Sequence, residues 1–423
     1  MRIMVVGGGG REHAIISKLK ESEKVTEIFA LPGNGAIAQD ATCVNIGAKD
    51  IEGITKFALE NKIDFAVVAP DDPLVLGAVD SLHSVGIPCF GPESKAAIIE
   101  GSKIFSKDMM KEFNIPTAEY ETFSDMDKAL DYLETCEIPV VIKADGLALG
   151  KGVIIAETRE AAKNAVVEMM QDKVFGDSGS NIVIEEFLTG PEVSVLSFTD
   201  GNVVVPMISS MDHKRVGDGD TGLNTGGMGT VAPNPYYTEK VANRCMEEIF
   251  LPTIKAMNTL GRTFKGCLYF GLMITEKGPK VIEYNCRFGD PETQVVLPLL
   301  KTDLFEIMQA VENGTLADIN VEFKDECACC VVMASKGYPQ KYETGFEITY
   351  DEDLEAKVFV AGAKSEGDRL YTAGGRVLGV VMTAPTLDEA VKLAYSESEK
   401  VHFENAYKRN DIGKRALAVL EDK

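Results

Sequence analysis

Short apolar, β-rich runs alternate with helical runs through the first hundred residues. RIMVVG reads as a strand, REHAIISKLKE as a helix, VTEIFAL and KIDFAVVAP as strands, DPLVLGAVDSLHSVG as a helix and IPCFGP as a closing strand. This order predicts a doubly wound parallel sheet with helices on its faces. From Lys103 the pattern changes. TAEYETF, IPVVIKAD, GVIIAE and NIVIEEFL read as strands interleaved with helices over DMDKALDYLETC and REAAKNAVVEMM, a small α+β unit. Further strands follow at EVSVLSF and VVVPMISS, then a polar, Gly-rich stretch from Asp212 to Gly229. A helix places Met246, Ile249, Phe250, Ile254 and Met257 on one face, with a kink expected at Pro252. KGCLYFGLMIT and KVIEYN then form two strands joined by a KGP turn. From Asp325 onward the chain is strand-rich, with one helix near LDEAVKLAYSESE. The class is therefore α/β and α+β, multidomain, with units over 1–102, 103–324 (containing a small unit at 118–187) and 325–423.

Length agrees: 423 residues exceed one compact core, so about two to four domains are expected. The formal net charge of -23 disfavours nucleic acid, and an anionic ligand would need a local positive pocket set against that field. No stretch offers the ~18 consecutive apolar residues of a membrane span, and MRIMVVGGGGREH lacks the sustained apolar segment of a secretory leader. The nine cysteines are scattered; Cys327, Cys329 and Cys330 read as part of a buried strand, without the paired spacing of a metal site. A cytoplasmic protein, monomeric or weakly oligomeric, is expected.

Four segments carry candidate chemistry. GGGGREH sets Gly9 and Gly10 between a strand and a helix N-terminus, a place that suits phosphate, with Arg11 as an extra cation. A dinucleotide fingerprint would want glycine where Glu12 stands and an acid after the second strand, which ends instead in LPGNG. Lys143 lies late in an apolar strand, followed by a loop bearing Gly146, Gly150, Lys151 and Gly152. Such a flexible cover suits a triphosphate, although it is not a Walker A sequence. In IVIEEFLTGPE, Glu185, Glu186, Phe187 and Leu188 end a strand that can offer backbone groups to an adenine edge, with Glu192 within reach of a ribose. In VIEYNCRFGDPETQ, Glu283, Asn285 and Arg287 alternate onto one face. The carboxylate and amide oxygens suit Mg2+, and the arginine suits a transferring phosphoryl group.

The order Lys103, Lys143 with its glycine loop, EEFL and E-x-N-x-R resembles the ATP-grasp superfamily. GREHA, GPESKAA, EGSKIFSKD, VIKADGLALGKGV, DHKRVGDGDTGLNTGGMG and EYNCRFGDPETQ resemble, more narrowly, the glycinamide ribonucleotide synthetases, and GGRVLGV and DIGKRA extend the likeness almost to the end of the chain. The resemblance implies a Rossmann-like first unit, a central ATP-grasp fold with a lid and a small C-terminal domain. It implies ligation of glycine to 5-phosphoribosylamine at the expense of ATP through glycyl phosphate, with Mg2+ or Mn2+. By position, Lys103 and Lys143 would bind ATP phosphates, Glu185 and Leu188 adenine, Glu192 the ribose, and Glu283 and Asn285 the metal. Arg287 would stabilise the transferring phosphoryl group. Asp212, Lys214 and Arg215 with Gly226, Gly227 and Met228 would line the glycine and ribosylamine pocket; Asp290 is placed with the substrates. Asp212, His213 or solvent is the candidate acceptor of the amine proton. Two departures stand out: Ala69-Pro70-Asp71 replaces the family's G-P-E, and Tyr269 takes the place of an acid on the preceding strand. Rival readings are an ATP-grasp ligase with another acceptor, a nucleotide-binding module without turnover, and an NAD dehydrogenase.

Overall fold

A computed structural model of the chain describes residues 1–147, 152–172 and 176–421. Its first unit is a five-stranded parallel sheet in the spatial order Thr42–Cys43, Glu27–Pro32, Arg2–Gly7, Phe65–Val68, Cys89–Phe90. Alternate residues of the central strand feed different cores: Ile3 and Val5 pack on one side, Met4 and Val6 on the other. A sheet buried on both faces reads as a continuous apolar run, which is what RIMVVG shows. The strand order reverses between Arg2–Gly7 and Phe65–Val68, so the crevice beyond their carboxyl ends is the switch point where such sheets bind ligands.

Two antiparallel sheets face one another further along the chain. The smaller runs Tyr120–Phe123, Ile182–Glu186, Val140–Ala144, Val153–Ala156, covered by helices Met126–Thr135 and Arg159–Met170. The larger runs Val204–Pro206, Glu192–Thr199, Gly266–Thr275, Gly278–Asn285. A further sheet starts with Met211–Asp212 and Gly229–Ala232 and continues through Cys327–Ser335, Arg376–Ala384 and Lys357–Val360. It crosses the expected boundary at residue 325, because the stretch from Asp212 to Gly229 leaves and re-enters it. One core joins Ile3, Leu196, Phe288, Leu304 and Ala328, so the first sheet, the larger antiparallel sheet and the C-terminal sheet share an apolar interior.

Three expected elements change shape for local reasons. The helix over DPLVLGAVDSLHSVG is two, Asp71–Val75 and Ala78–Ser84, split at Gly77 with φ of 86°. The long helix near Pro252 contains a π turn over Met246–Phe250 before Leu251–Thr259, since proline lacks the N–H that would continue the ladder. The Gly-rich stretch is not plain loop: Arg215–Gly217 and Thr221–Asn224 pair as a separate hairpin.

Candidate active site

The space between the two antiparallel sheets is organised by charge. Lys143 is 5% exposed near the end of its strand, with its ammonium 3.0 Å from Glu185 and donating at 3.0 Å to the carbonyl of Ile282. That carbonyl is available because the pairing of Gly266–Thr275 with Gly278–Asn285 slips by one residue between Gly271 and Leu272, leaving Ile282 as a bulge. The same bulge lets Val281 pack inward while Glu283, two residues later, remains half-buried beside the lysines. Helix Lys103–Glu112 contributes two more cations, one turn apart: Lys103 donates to the carbonyl of Gly146 at 2.8 Å, and buried Lys107 sits 3.1 Å from Glu185. Burial lowers the Lys107 amine to about 8.

Glu283 is the focus of this charge. Burial would raise its carboxyl, but Lys214, Lys143, Lys103 and Arg287 together hold it below the usual carboxylate range. Asn285 donates its amide nitrogen to the carbonyl of Tyr284 at 2.8 Å, which leaves the amide oxygen as the free end. An ionised carboxylate and an amide oxygen are hard donors, and no group of three or more His, Cys, Asp or Glu able to hold a metal occurs among the described residues. Two hard protein oxygens are few for a metal site and fit a Mg2+-like ion that takes its remaining ligands from phosphate and water. Four cations converging on one carboxylate, three of them also paired with Glu185, Glu192 or Glu100, are groups that a polyphosphate can share.

The Asp212–Gly229 segment closes one end of this space. Lys214 reaches Glu192 at 3.3 Å and Glu283 at 3.9 Å, and Glu192 holds its amine firmly protonated. Asp212 accepts from the backbone of His213 at 2.7 Å; burial and, after it, the charge of Glu292 push its carboxyl well above the usual range. Gly227, with φ of 117°, lies so close that an added Cβ would stand 2.7 Å from the Asp212 carboxylate and 2.4 Å from Pro291. Gly226 is gripped from the C-terminal sheet: Arg376 donates to its carbonyl at 2.8 Å and Tyr338 accepts from its N–H at 3.1 Å. Arg376 also pairs with Asp290 at 3.4 Å.

At the switch point of the first sheet, Asp71 is held below the ordinary carboxylate range by Arg287 and Arg11 against the opposing effect of burial. Arg287 lies just beyond strand Gly278–Asn285 and pairs with buried Glu100 at 3.0 Å. It therefore spans the switch point and the Glu283 cluster.

The structure separates the expected residues into groups. Lys103, Lys143, Gly146, Glu192, Lys214, Glu283, Asn285 and Arg287 gather around one space, with Asp212, Gly226, Gly227 and Asp290 at its edge. Gly150 and Lys151 lie outside the described residues, whereas Gly152 pairs through its carbonyl with Ala144. Glu186 is an exposed partner of Lys280 at 2.7 Å, followed by Phe187 at the surface and half-buried Leu188. Other expected contacts are already occupied. The N–H of Gly9 donates to Glu12 at 2.6 Å and Arg11 pairs with the same carboxylate, so the opening motif caps its own helix. Gly10 packs against Gln294. Arg215 donates to the carbonyl of Gly222 at 2.8 Å within its own hairpin.

His213 and Met228 are fully buried. The ring of His213 meets the Gly229 carbonyl through Nδ1 at 3.1 Å and accepts from Gly413 through Nε2 at 3.2 Å, and burial lowers it to about 4. A histidine so engaged is a neutral core residue, which leaves Asp212 as the acid–base candidate of the pair. Sequence reasoning gave no role to Lys107, Glu100, Glu292 or Arg376. Lys107 had a signal, four residues after Lys103 on a helix; the others are brought in by tertiary packing alone.

A strand lysine and an acid–amide strand held between two antiparallel sheets are the arrangement of ATP-grasp ligases, and residues 101–293 match the family model described as the phosphoribosylglycinamide synthetase ATP-grasp (A) domain. Residues 1–100 and 328–415 match the N and C domain models of the same enzyme. The chain belongs to the phosphoribosylglycinamide synthetase family of ligases. It is 48% identical over 413 residues to the phosphoribosylamine–glycine ligase of Caldanaerobacter subterraneus, covering 97% of this chain and 99% of that one. It is 47% identical over 424 residues to that of Salmonella typhimurium, covering 99% of each. The crystal structure of phosphoribosylamine–glycine ligase from Thermotoga maritima superposes with a TM-score of 0.87 at 33% identity, over 97% of this chain and all of that one. A biotin carboxylase from Campylobacter jejuni shares the fold, with a TM-score of 0.75 at 14% identity over 96% of this chain and 92% of that one.

Proposed function

We propose that the chain ligates glycine to 5-phosphoribosylamine with ATP, giving glycinamide ribonucleotide, ADP and phosphate, the second step of purine synthesis. The observation that carries this reading is the convergence of Lys103, Lys143, Lys214 and Arg287 on Glu283, beside the Asp212–Gly227 segment. Lys143, Lys214 and Arg287 each keep a protein carboxylate within reach (Glu185, Glu192 and Glu100), and in a chain of net charge -23 a phosphate-bearing ligand entering beside Lys103 would share this cluster of cations.

A carboxylate is a poor electrophile, and the reaction makes it a good one. Lys103 and Lys143 hold the ATP phosphates, and the backbone beyond Glu185 with Leu188 meets the adenine while Glu192 meets the ribose. Glu283 and Asn285 would hold Mg2+ or Mn2+, which would offset phosphate charge. One glycine carboxylate oxygen attacks the γ-phosphorus and ADP leaves, while Arg287 balances the charge on the transferring phosphoryl group. The ribosylamine nitrogen then attacks the carbonyl carbon of glycyl phosphate and inorganic phosphate leaves. Asp212, with its raised carboxyl, accepts the proton the nitrogen loses. Asp71 and Asp290, at the rim reached by Arg11 and Arg376, take the ribosylamine end. The reading places the protein in the cytoplasm, as a monomer or weak oligomer; all nine cysteines are free thiols, which suits a reducing compartment, and no described helix is long and apolar enough to cross a membrane.

The test is ADP release from the purified chain with each substrate omitted in turn. Turnover that needs ATP, glycine and ribosylamine together supports the reading. Equal ADP release with a different amino acid would assign the site to a ligase of other specificity, and nucleotide binding without ADP release would make it a binding module.

A further inference from the structure

The hairpin of Arg215–Gly217 and Thr221–Asn224 stands apart as a two-stranded sheet of its own. An isolated pair of strands this short is marginal in water, so its position must be set by something else. At its tip Gly219 and Asp220 take φ of 68° and 56°, the left-handed region that glycine and aspartate enter most readily, and outside contacts fix this turn in place. Those contacts come from a segment almost two hundred residues away in sequence. Arg409, 1% exposed, is clamped by both oxygens of Asp411 at 2.8 and 2.9 Å. Its remaining nitrogen donates to the carboxylate of Asp220 and to the carbonyl of Arg215, each at 3.0 Å. One guanidinium thus holds both the tip and the base of the hairpin. The contacts around it repeat the pattern: Asn410 donates through backbone and side chain to Asp218 at 2.8 and 3.0 Å, Asp411 accepts from the N–H of Gly219 at 2.7 Å, and Tyr407 donates to the carbonyl of Val216 at 2.8 Å.

We propose that Arg409 is a positioning residue for the ligation reaction, which holds this hairpin so that Lys214 and Asp212, immediately before it, face the glycine and its acceptor. It touches no substrate itself and acts through the Arg215 carbonyl, one residue from Lys214. A planar fork with fixed donors is needed, because a point charge on a flexible stem cannot hold Asp411, Asp220 and a carbonyl in one plane. Lysine is therefore a poor substitute. The inference rests on the reading that residues 212–227 serve glycine and ribosylamine, whereas ATP is held mainly by Lys103, Lys143 and the strand beyond Glu185.

The experiment measures KM for each substrate, and amide exchange of residues 215–224, in Arg409→Lys and, where that variant folds poorly, in Asp220→Asn, whose carboxylate is partly exposed. The expected result is a rise of about ten-fold or more in KM for ribosylamine or glycine, a clearly smaller rise in KM for ATP through Lys214, which also faces Glu192 and Glu283, and faster exchange confined to the hairpin. Unchanged constants for glycine and ribosylamine would overturn the proposal. So would equal losses for all three substrates, which signal general loosening. If the wild type shows no turnover dependent on glycine and ribosylamine, the ligase reading fails instead; hairpin exchange then still reports whether Arg409 holds this segment.

Discussion

Replacing Glu185 by leucine removes the one carboxylate that lies within 3.1 Å of both Lys107 and Lys143, three side chains exposed by only 3–5%. The hydrophobic volume is nearly kept, so the cost comes from charge: two ammonium groups lose their shared counter-ion in a site that water scarcely reaches. Breaking a buried ion pair by deleting one partner typically costs about 3–5 kcal/mol. Part of that penalty is escaped by proton loss, because the Lys107 amine is already lowered to about 8 and falls further once Glu185 is gone. The chain has several cores, so a single melting temperature would average over them. Amide exchange in Val140–Ala144 and Ile182–Glu186 isolates the small sheet. Exchange there is expected to accelerate roughly 10²- to 10³-fold, with little change in Arg2–Gly7 of the first sheet. KM for ATP rises in parallel, since Lys143 is no longer held in place. Exchange and KM that both stay at the wild-type level would refute the reasoning, because the ion triad would then contribute neither order nor binding.

Glu283→Ala is expected to reduce glycine-dependent ADP release by about 10²- to 10³-fold or more, with an unchanged circular dichroism spectrum; wild-type turnover in that variant would sink the metal assignment. Gly227→Ala places a methyl group against Pro291 and the Asp212 carboxylate at a backbone φ of 117°, and kcat/KM for glycine should fall by roughly 10²-fold in a steady-state assay. The neutral, buried His213 titrates near 4 against 6.5 when unfolded, so between those values the unfolded chain binds more protons than the native one. Stability contributed by this residue is complete above pH 6.5 and falls by up to about 3 kcal/mol as the pH drops toward 4; amide-exchange protection of Gly229–Ala232, corrected for the intrinsic rate, should lose that slope in His213→Gln, and an unaltered slope would contradict it.

Much of the architecture was legible from local pattern. Short apolar, β-branched runs such as RIMVVG and VVIKA became strands, and REAAKNAVVEMM became helix Arg159–Met170 without a shift of either end. The helix breaks at Gly77 and before Pro252 arise from residues visible in the chain, although their consequence, two helices in one case and a π turn in the other, depended on what packed around them.

For the site, the sequence by itself singled out the groups that carry chemistry: Glu283, Asn285 and Arg287 alternate onto one face of a strand, Lys143 precedes a glycine loop, and Lys103 follows from the family resemblance. It determined the polar, Gly-rich character of the Asp212–Gly229 stretch but not its shape. The cap of Gly9 by Glu12 is local, a contact three residues apart. Only the tertiary structure decided that Lys214 and Glu283 approach within 3.9 Å and that His213 is a core residue. It alone recruited Glu100, Glu292, Arg376 and Arg409. The reason is physical: periodicity reports which face of an element is buried, whereas a charge acts through space on whatever the fold brings near it, at any separation along the chain.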